Sequence, residues 1–263
     1  MTAVNLTSAT QSSRKPADAP TQVDEAQLRQ DLAAAFRLAE YHDWHESIAN
    51  HFSAAASEDG RTILLNPRWK HFSSIRASDL LKLHVDDPTV MERDDAPDPS
   101  AWSIHGGVHS TVPHARVLLH CHPTYATTLC TLEDPVIQPI DQVTARYYNR
   151  ITYDNHFGGI ATEASEGLRI AGVFGNHSVM MMGNHGVSVA AETVAEAFDN
   201  LYHLERAART MVLAYSTGKP LKLMSPEMAE SVALEWESYS DSAMAHFEEM
   251  KRVLDRTDTS WRD

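Results

Sequence analysis

Val117-Leu118-Leu119-His120-Cys121-His122-Pro123 is the stretch that decides the fold of this chain. Its first five residues are apolar apart from one histidine, which suits a short strand buried on both faces. Alternate side chains of a strand share a face, so Leu118, His120 and His122 project one way and Val117, Leu119 and Cys121 the other. Pro123 cannot donate to a ladder and stops the strand, leaving two imidazoles near its end. Such a pair suits two ligand positions on one metal. The chain carries 15 histidines, so the triplet alone is weak evidence, and a hydrogen-bonded pair at a strand end explains it as simply.

A second element lies downstream. Val179–Met182 and residues 187–190 are apolar runs around Gly183-Asn184-His185-Gly186, the pattern of a hairpin whose glycines allow a tight tip. From that tip His185 can reach a neighbouring strand end as a third ligand. Three neutral imidazoles leave open positions on the cation, the arrangement of catalytic rather than structural sites.

Working outward, residues 24–40 repeat Leu28, Leu32, Phe36 and Ala39 at helical spacing. Residues 48–54 and Thr62–Leu65 are expected as strands around Glu58-Asp59-Gly60. A helical turn at 77–80 precedes a strand at 81–85. Residues 86–100 are expected as a loop near the site. A helix starts near Ile104 and ends at Pro113. Residues 123–132 form a helix with Pro in its first turn, 135–140 a short strand, and 161–171 a helix. Met180, Met181 and Met182 are core. Thr193 and Glu196 have capping-box spacing. Behind them Val194, Phe198, Leu201, Leu204, Ala208 and Met211 form one stripe, in which Glu205 and Arg206 are surface or interface charges. A final helix spans 226–254. Irregular alternation of strands and helices indicates a layered α/β domain with a mixed or antiparallel sheet.

Of 263 residues, 43% are hydrophobic, enough for one sizeable core. Residues 1–21 are rich in Ser, Thr, Ala and Pro, without an apolar run, and are expected as a disordered lead-in to a single domain over 22–263. No apolar stretch approaches the roughly 18 residues of a membrane span. A net charge of −14 argues against nucleic acid and anionic membranes as partners. Two cysteines, Cys121 and Cys130, are too few for a disulfide framework and fit a cytoplasmic location.

Three segments resemble the class II aldolase/adducin family: His120-Cys121-His122, the hairpin around Asn184-His185-Gly186, and the helix from Thr193-Val194-Ala195-Glu196 to Ala208. Upstream, Asn50-His51-Phe52-Ser53 is similar to the family's Gly-Asn-x-Ser segment, and Leu65-Asn66-Pro67 to the strand and turn that follow it. The resemblance runs over about 28–215. It implies a three-layer α/β/α sandwich with a mixed, largely antiparallel central sheet, and a homotetramer with sites near subunit interfaces. It also implies one divalent transition metal per chain on His120, His122 and His185, zinc first and iron, manganese or cobalt as alternatives, polarising a substrate carbonyl.

The sequence departs from the family at two places. Sugar-phosphate aldolases carry a Ser-Ser-Glu-Trp-like segment with a catalytic Glu; here Pro99-Ser100-Ala101-Trp102 puts Ala101 at that position, and alanine transfers no proton. The phosphate-cradling Thr-Gly turn is Arg68-Trp69. Arg68 could clamp a carboxylate. His105, a candidate proton donor, and His109 lie one helical turn apart; with Trp102 and Tyr148 they complete the candidate site. His42, His45 and His51 are expected as helix-end and strand residues without a metal. The expected function is a metal-dependent lyase, decarboxylase or retro-aldol in type, on a non-phosphorylated carboxylate or carbonyl small molecule. The alternatives are a non-haem iron(II) oxygenase on the same three histidines and a non-catalytic, adducin-like binding module.

Overall fold

The computed structural model describes residues 23–239 and 241–263; the expected lead-in at 1–21 lies outside them. Helix α1 (Glu25–Tyr41) opens at Asp24, whose carboxylate accepts the Gln27 N–H and so satisfies one of the donors a helix start leaves unpaired. Seven strands follow, β1 (His51–Ala55), β2 (Thr62–Leu65), β3 (Leu81–His84), β4 (Val117–Cys121), β5 (Ile151–Asp154), β6 (Val179–Met182) and β7 (Gly186–Ala191). They form one sheet in the order β3-β2-β1-β4-β7-β6-β5. Every neighbouring pair is antiparallel except β5 and β6.

Helices α2 (Pro99–Thr111) and α5 (Ala164–Phe174) cover one face. On the other lie α1, α3 (Thr124–Cys130), α6 (Val194–Ser216) and α8 (Asp241–Asp255), with α4 (Gln142–Ala145) and α7 (Pro226–Ser238) at the side of α6. The result is the three-layer α/β sandwich. Strand alternation sorts the two cores. Val117, Leu119 and Cys121 of β4 join the α1/α6 core, whereas Leu118 joins the α2/α5 core. Val179 and Met181 of β6 likewise part from Met180 and Met182. His120 shares the face of Leu118, so it looks toward α2. Among the described residues no helix is long and apolar enough to cross a membrane.

Five local readings are corrected. Residues 135–140 form no strand. Pro135 and Pro139 remove two ladder donors, and the Ile137 N–H donates instead to the Tyr153 hydroxyl. β5 was not anticipated. It is four residues long and lies at the sheet edge, too short for a periodicity signal. α2 begins at Pro99, inside the expected loop, because Asp98 accepts the Ser100 and Ala101 N–H groups and Pro suits the first helical position. The final helix breaks at Tyr239 into α7 and α8. The strand expected from 48 also begins later, since Asn50 has φ 73°, outside any strand geometry.

α2 and α5 pack backbone to backbone. A Cβ at Gly167 would overlap the Ser103 carbonyl oxygen, and one at Gly107 would lie 2.6 Å from the Gly167 carbonyl oxygen. Gly167→Ala is therefore expected to destabilise the fold by about 3 kcal/mol in urea unfolding, the overpacking range. Gly172, on the same helix with open space around it, is the control. Gly172→Ala should leave stability equal or higher by about 0.5–1 kcal/mol. Equal midpoints for the two variants would contradict this packing.

Candidate metal centre

β4 ends at Cys121, and His122 continues its line beside the β6–β7 turn. That turn is held by the Asn184 N–H on the Cys130 carbonyl (2.9 Å) and the His185 N–H on the Met182 carbonyl (3.1 Å), with Asn184 at φ 55°. His120, His122 and His185 are thereby brought together. One ring nitrogen from each lies within 4.8 Å of the others, and among the described residues this is the one group of three such ligands. Ring centroids are 4.8 to 5.1 Å apart.

The surrounding hydrogen bonds assign the tautomers. His122 Nδ1 lies 2.8 Å from a Glu46 carboxylate oxygen; a carboxylate accepts, so Nδ1 carries the proton and Nε2 a bare lone pair. Ser188 donates to Met182 Sδ, which leaves its hydroxyl to accept from His120 Nδ1 at 3.1 Å. His120 Nε2 is then bare as well. The two Nε2 atoms lie 3.3 Å apart, lone pair against lone pair. That contact is repulsive unless a positive charge, a proton or a metal ion, lies between them. Imidazoles held through Nδ1 by a carboxylate and a hydroxyl have the outer support seen around metal-binding histidines. Burial keeps His120 neutral by lowering its pKa well below 6.5 and brings His185 to about 4. The donor set therefore fits a divalent transition metal.

A cavity of about 510 Å³ opens over these rings, walled by Asn50, His51, Asn66, Arg68, Asp98 and Ala101 among others. The sequence expectation passed over His51. It stacks on His120 at 4.8 Å between centroids, and its Nδ1 lies 2.8 Å from His105 Nε2. His105 Nδ1 meets Ser53 Oγ, and Ser53 Oγ meets His109 Nε2 at 2.6 Å. His105 is thus wholly buried, with both nitrogens engaged inside the protein. The cavity-facing imidazole is His51, and His105 and His109 stand behind it. One signal was available: His51 and Ser53 share parity on β1 as His120 does on its antiparallel partner β4, where His51 lies opposite His120.

The other candidate residues separate. Arg68 lines the cavity and makes no ion pair among the described residues. Trp102 does not line it. It lies one residue round α2 from Ala101, about 100° away, and packs beside the Ile63, Leu65 and Leu83 cluster. Tyr148 follows α4, beside a separate hollow lined by Arg146, Tyr147, Asn149 and Arg150. The guanidinium groups there are engaged, Arg146 with Asp199 and Arg150 with Glu230 and Glu237. His42 stacks on Trp44 and His45 meets His71 edge to face, so neither joins His51. Glu205 is not a surface charge. It accepts the Tyr125 and Ala126 N–H groups at 2.9 and 2.8 Å, tying α3 to α6 just after Pro123. Burial raises its pKa to about 7 against those two bonds. Cys121 and Cys130 are free and buried.

The buried imidazoles make the fold acid-sensitive. Burial lowers His51 from 6.5 to about 3 and His109 to about 4. Above pH 6.5 these groups are neutral in both folded and unfolded chains. As pH falls below that, the unfolded chain binds protons that the folded one refuses, so stability declines down to the folded values. For His109 alone the loss is on the order of 3 kcal/mol. The urea midpoint is expected to fall clearly between pH 7.5 and pH 4.5; an unchanged midpoint would contradict the assignment.

A three-layer sandwich with three convergent imidazoles where its central strand ends defines the class II aldolase type of protein. The chain belongs to the class II aldolase and adducin family: the family model described as "Class II Aldolase and Adducin N-terminal domain" matches residues 30–212. It is 30% identical over 206 residues to a putative aldolase class 2 protein of Caulobacter vibrioides, covering 78% of this chain and 79% of that protein. The decarboxylase NovR of Streptomyces niveus is 24% identical over 200 residues, 74% of each chain. A crystal structure of an aldolase II superfamily protein from Pseudomonas syringae superposes with a TM-score of 0.82 at 28% identity, covering 93% of this chain and 98% of that one.

Proposed function

We propose that this protein is a metal-dependent lyase that cleaves a carbon–carbon bond in a non-phosphorylated carboxylate or carbonyl compound, with His120, His122 and His185 holding one divalent metal, zinc first. The observation that carries this reading is the pair of bare Nε2 atoms 3.3 Å apart at the floor of an open cavity. A bound metal would supply a Lewis acid for negative charge developing on a substrate oxygen. Arg68 offers a guanidinium to a carboxylate, and Asn50 and Asn66 place polar side chains along the same wall. Decarboxylation suits a site with alanine at 101. The bond to the carboxylate carbon breaks, carbon dioxide leaves, and the electron pair stays on the remaining fragment without any base removing a proton. His51, braced by His105, is the imidazole that faces the fragment when a proton returns to it. The name of the Streptomyces relative supports the same direction.

Metal analysis of protein purified without chelator, with carbon dioxide release from 2-keto and 3-keto acids, tests this reading. One metal per chain with release supports it. Iron together with oxygen uptake would favour the oxygenase instead. A folded protein with no metal would favour the binding module, which the missing carboxylate at Ala101 also suits.

Ala101 does line the cavity, so Ala101→Glu puts a carboxylate there. That variant is still expected to cleave ketose phosphates no faster than wild type. The Arg68-Trp69 turn remains, with the Trp69 side chain at the cavity wall. Robust ketose-phosphate cleavage by the variant would count against the non-phosphorylated substrate.

A further inference from the structure

The mouth of the metal cavity is apolar. Trp69, Phe157 and Ile160 line it and are 66%, 51% and 82% exposed, and Ile48 joins them. Large apolar side chains grouped this way at the entrance of one cavity mark a binding surface more than scattered ones do. The Phe157 ring is 6.3 Å from that of His185, so the apolar wall runs down to the candidate metal ligands. Trp69 occupies φ 65°, a backbone conformation that favours glycine and strains a tryptophan. The chain holds an indole at the rim in spite of that strain.

The charges complete the picture. Arg68 is the one Lys or Arg side chain among the lining residues. The two lining carboxylates are engaged, Glu46 with His122 and Asp98 with the first turn of α2. A guanidinium with no ion pair among the described residues, below an apolar rim, suits a ligand with one anionic end. A polyhydroxylated sugar phosphate would set its hydroxyls against Trp69, Phe157 and Ile160, where desolvation without hydrogen bonds is unfavourable. The volume of about 510 Å³ accommodates a ring and a carboxylate, within the usual range for small-molecule sites.

We propose that the cavity selects a small carboxylate with an aromatic or branched apolar body, its anionic end at the three histidines and Arg68 and its apolar end against Trp69, Phe157 and Ile160. This rests on the metal-centre reading only for where the anionic end lies.

Calorimetric titration of the purified chain with glycolate, mandelate and phosphoglycolate, with metal content measured on the same sample, tests it. Glycolate and mandelate share a chelating 2-hydroxy acid and differ by a phenyl ring. Mandelate is expected to bind tighter than glycolate by about tenfold or more, from burial of the ring, with phosphoglycolate weaker than mandelate. Trp69→Gly, compatible with the backbone, should narrow the ratio to below about threefold with metal content unchanged. Ile160→Ser, at an exposed position, should narrow it in the same direction. Metal-loaded protein that binds the two acids equally, or phosphoglycolate tightest, overturns the proposal and leaves the metal centre standing. Metal-free protein that still prefers mandelate overturns the metal centre and leaves the proposal standing. An unchanged ratio in Trp69→Gly, with a smaller assembly by sedimentation, makes the rim a contact between copies of the chain and overturns the proposal.

Discussion

His122→Ala is expected to leave the protein folded and without its metal, falling from about one equivalent per chain to below about a tenth. Removing one imidazole of three leaves His120 and His185, and two neutral nitrogens hold a divalent ion far more weakly than three. The variant should fold because His122 sits at a strand end and its partner Glu46 is largely exposed, so no buried charge is orphaned. Elemental analysis beside circular dichroism checks both halves. Glu46→Gln is the graded companion: it keeps all three ligands, weakens the bond that orients His122, and should reduce metal affinity by about 10- to 100-fold. Full metal content in His122→Ala would remove His122 from the ligand set.

Gly186→Ala is expected to reach nearly the same loss with every histidine present. A Cβ at this position would overlap the His122 ring and lie 2.8 Å from the Cys121 carbonyl oxygen. Gly186 begins β7 opposite Met182, and Val187 pairs with Cys121. Its backbone is therefore held by the ladder and cannot retreat. The imidazole must rotate away, and its Nε2 leaves the point shared with His120 and His185. Metal affinity measured by competition with a chromophoric chelator should fall at least about 100-fold, in line with displacement of a ligand. The strand end should lose about 1–3 kcal/mol from overpacking. Wild-type metal affinity in this variant would mean that His122 does not bind in the position it occupies here.

The two segments that carry the candidate metal ligands were legible in the chain because their signals are local. Strand parity put His120 and His122 on one side, and the glycines at 183 and 186 marked the turn that carries His185. The capping box at Thr193 and Glu196 is present, with the Glu196 N–H on Thr193 Oγ1 and the Thr193 N–H on the Glu196 carboxylate. Residues 135–140 misled because apolar composition alone does not supply ladder donors, and two prolines withheld them. Trp102 was chosen because it lines up with the family's Ser-Ser-Glu-Trp-like segment, and Tyr148 because its hydroxyl can donate to a carboxylate. Rotation about α2 carries Trp102 out of the cavity, and the path after α4 leaves Tyr148 outside it.

What the amino-acid order determined by itself is most of the central strands and the long helices, the face each residue takes within those elements, and the identity of the three convergent imidazoles. These follow from periodicity and turn chemistry within a few residues. Only the tertiary structure decided which imidazole faces the cavity. His51 and His105 are distant in sequence, and the choice between them depends on α2 lying against β1, so that His105 is sealed behind His51. The apolar mouth was likewise invisible beforehand, because Trp69 follows β2 whereas Phe157 and Ile160 share the connection from β5 to α5, and the two segments meet only when the sheet is assembled.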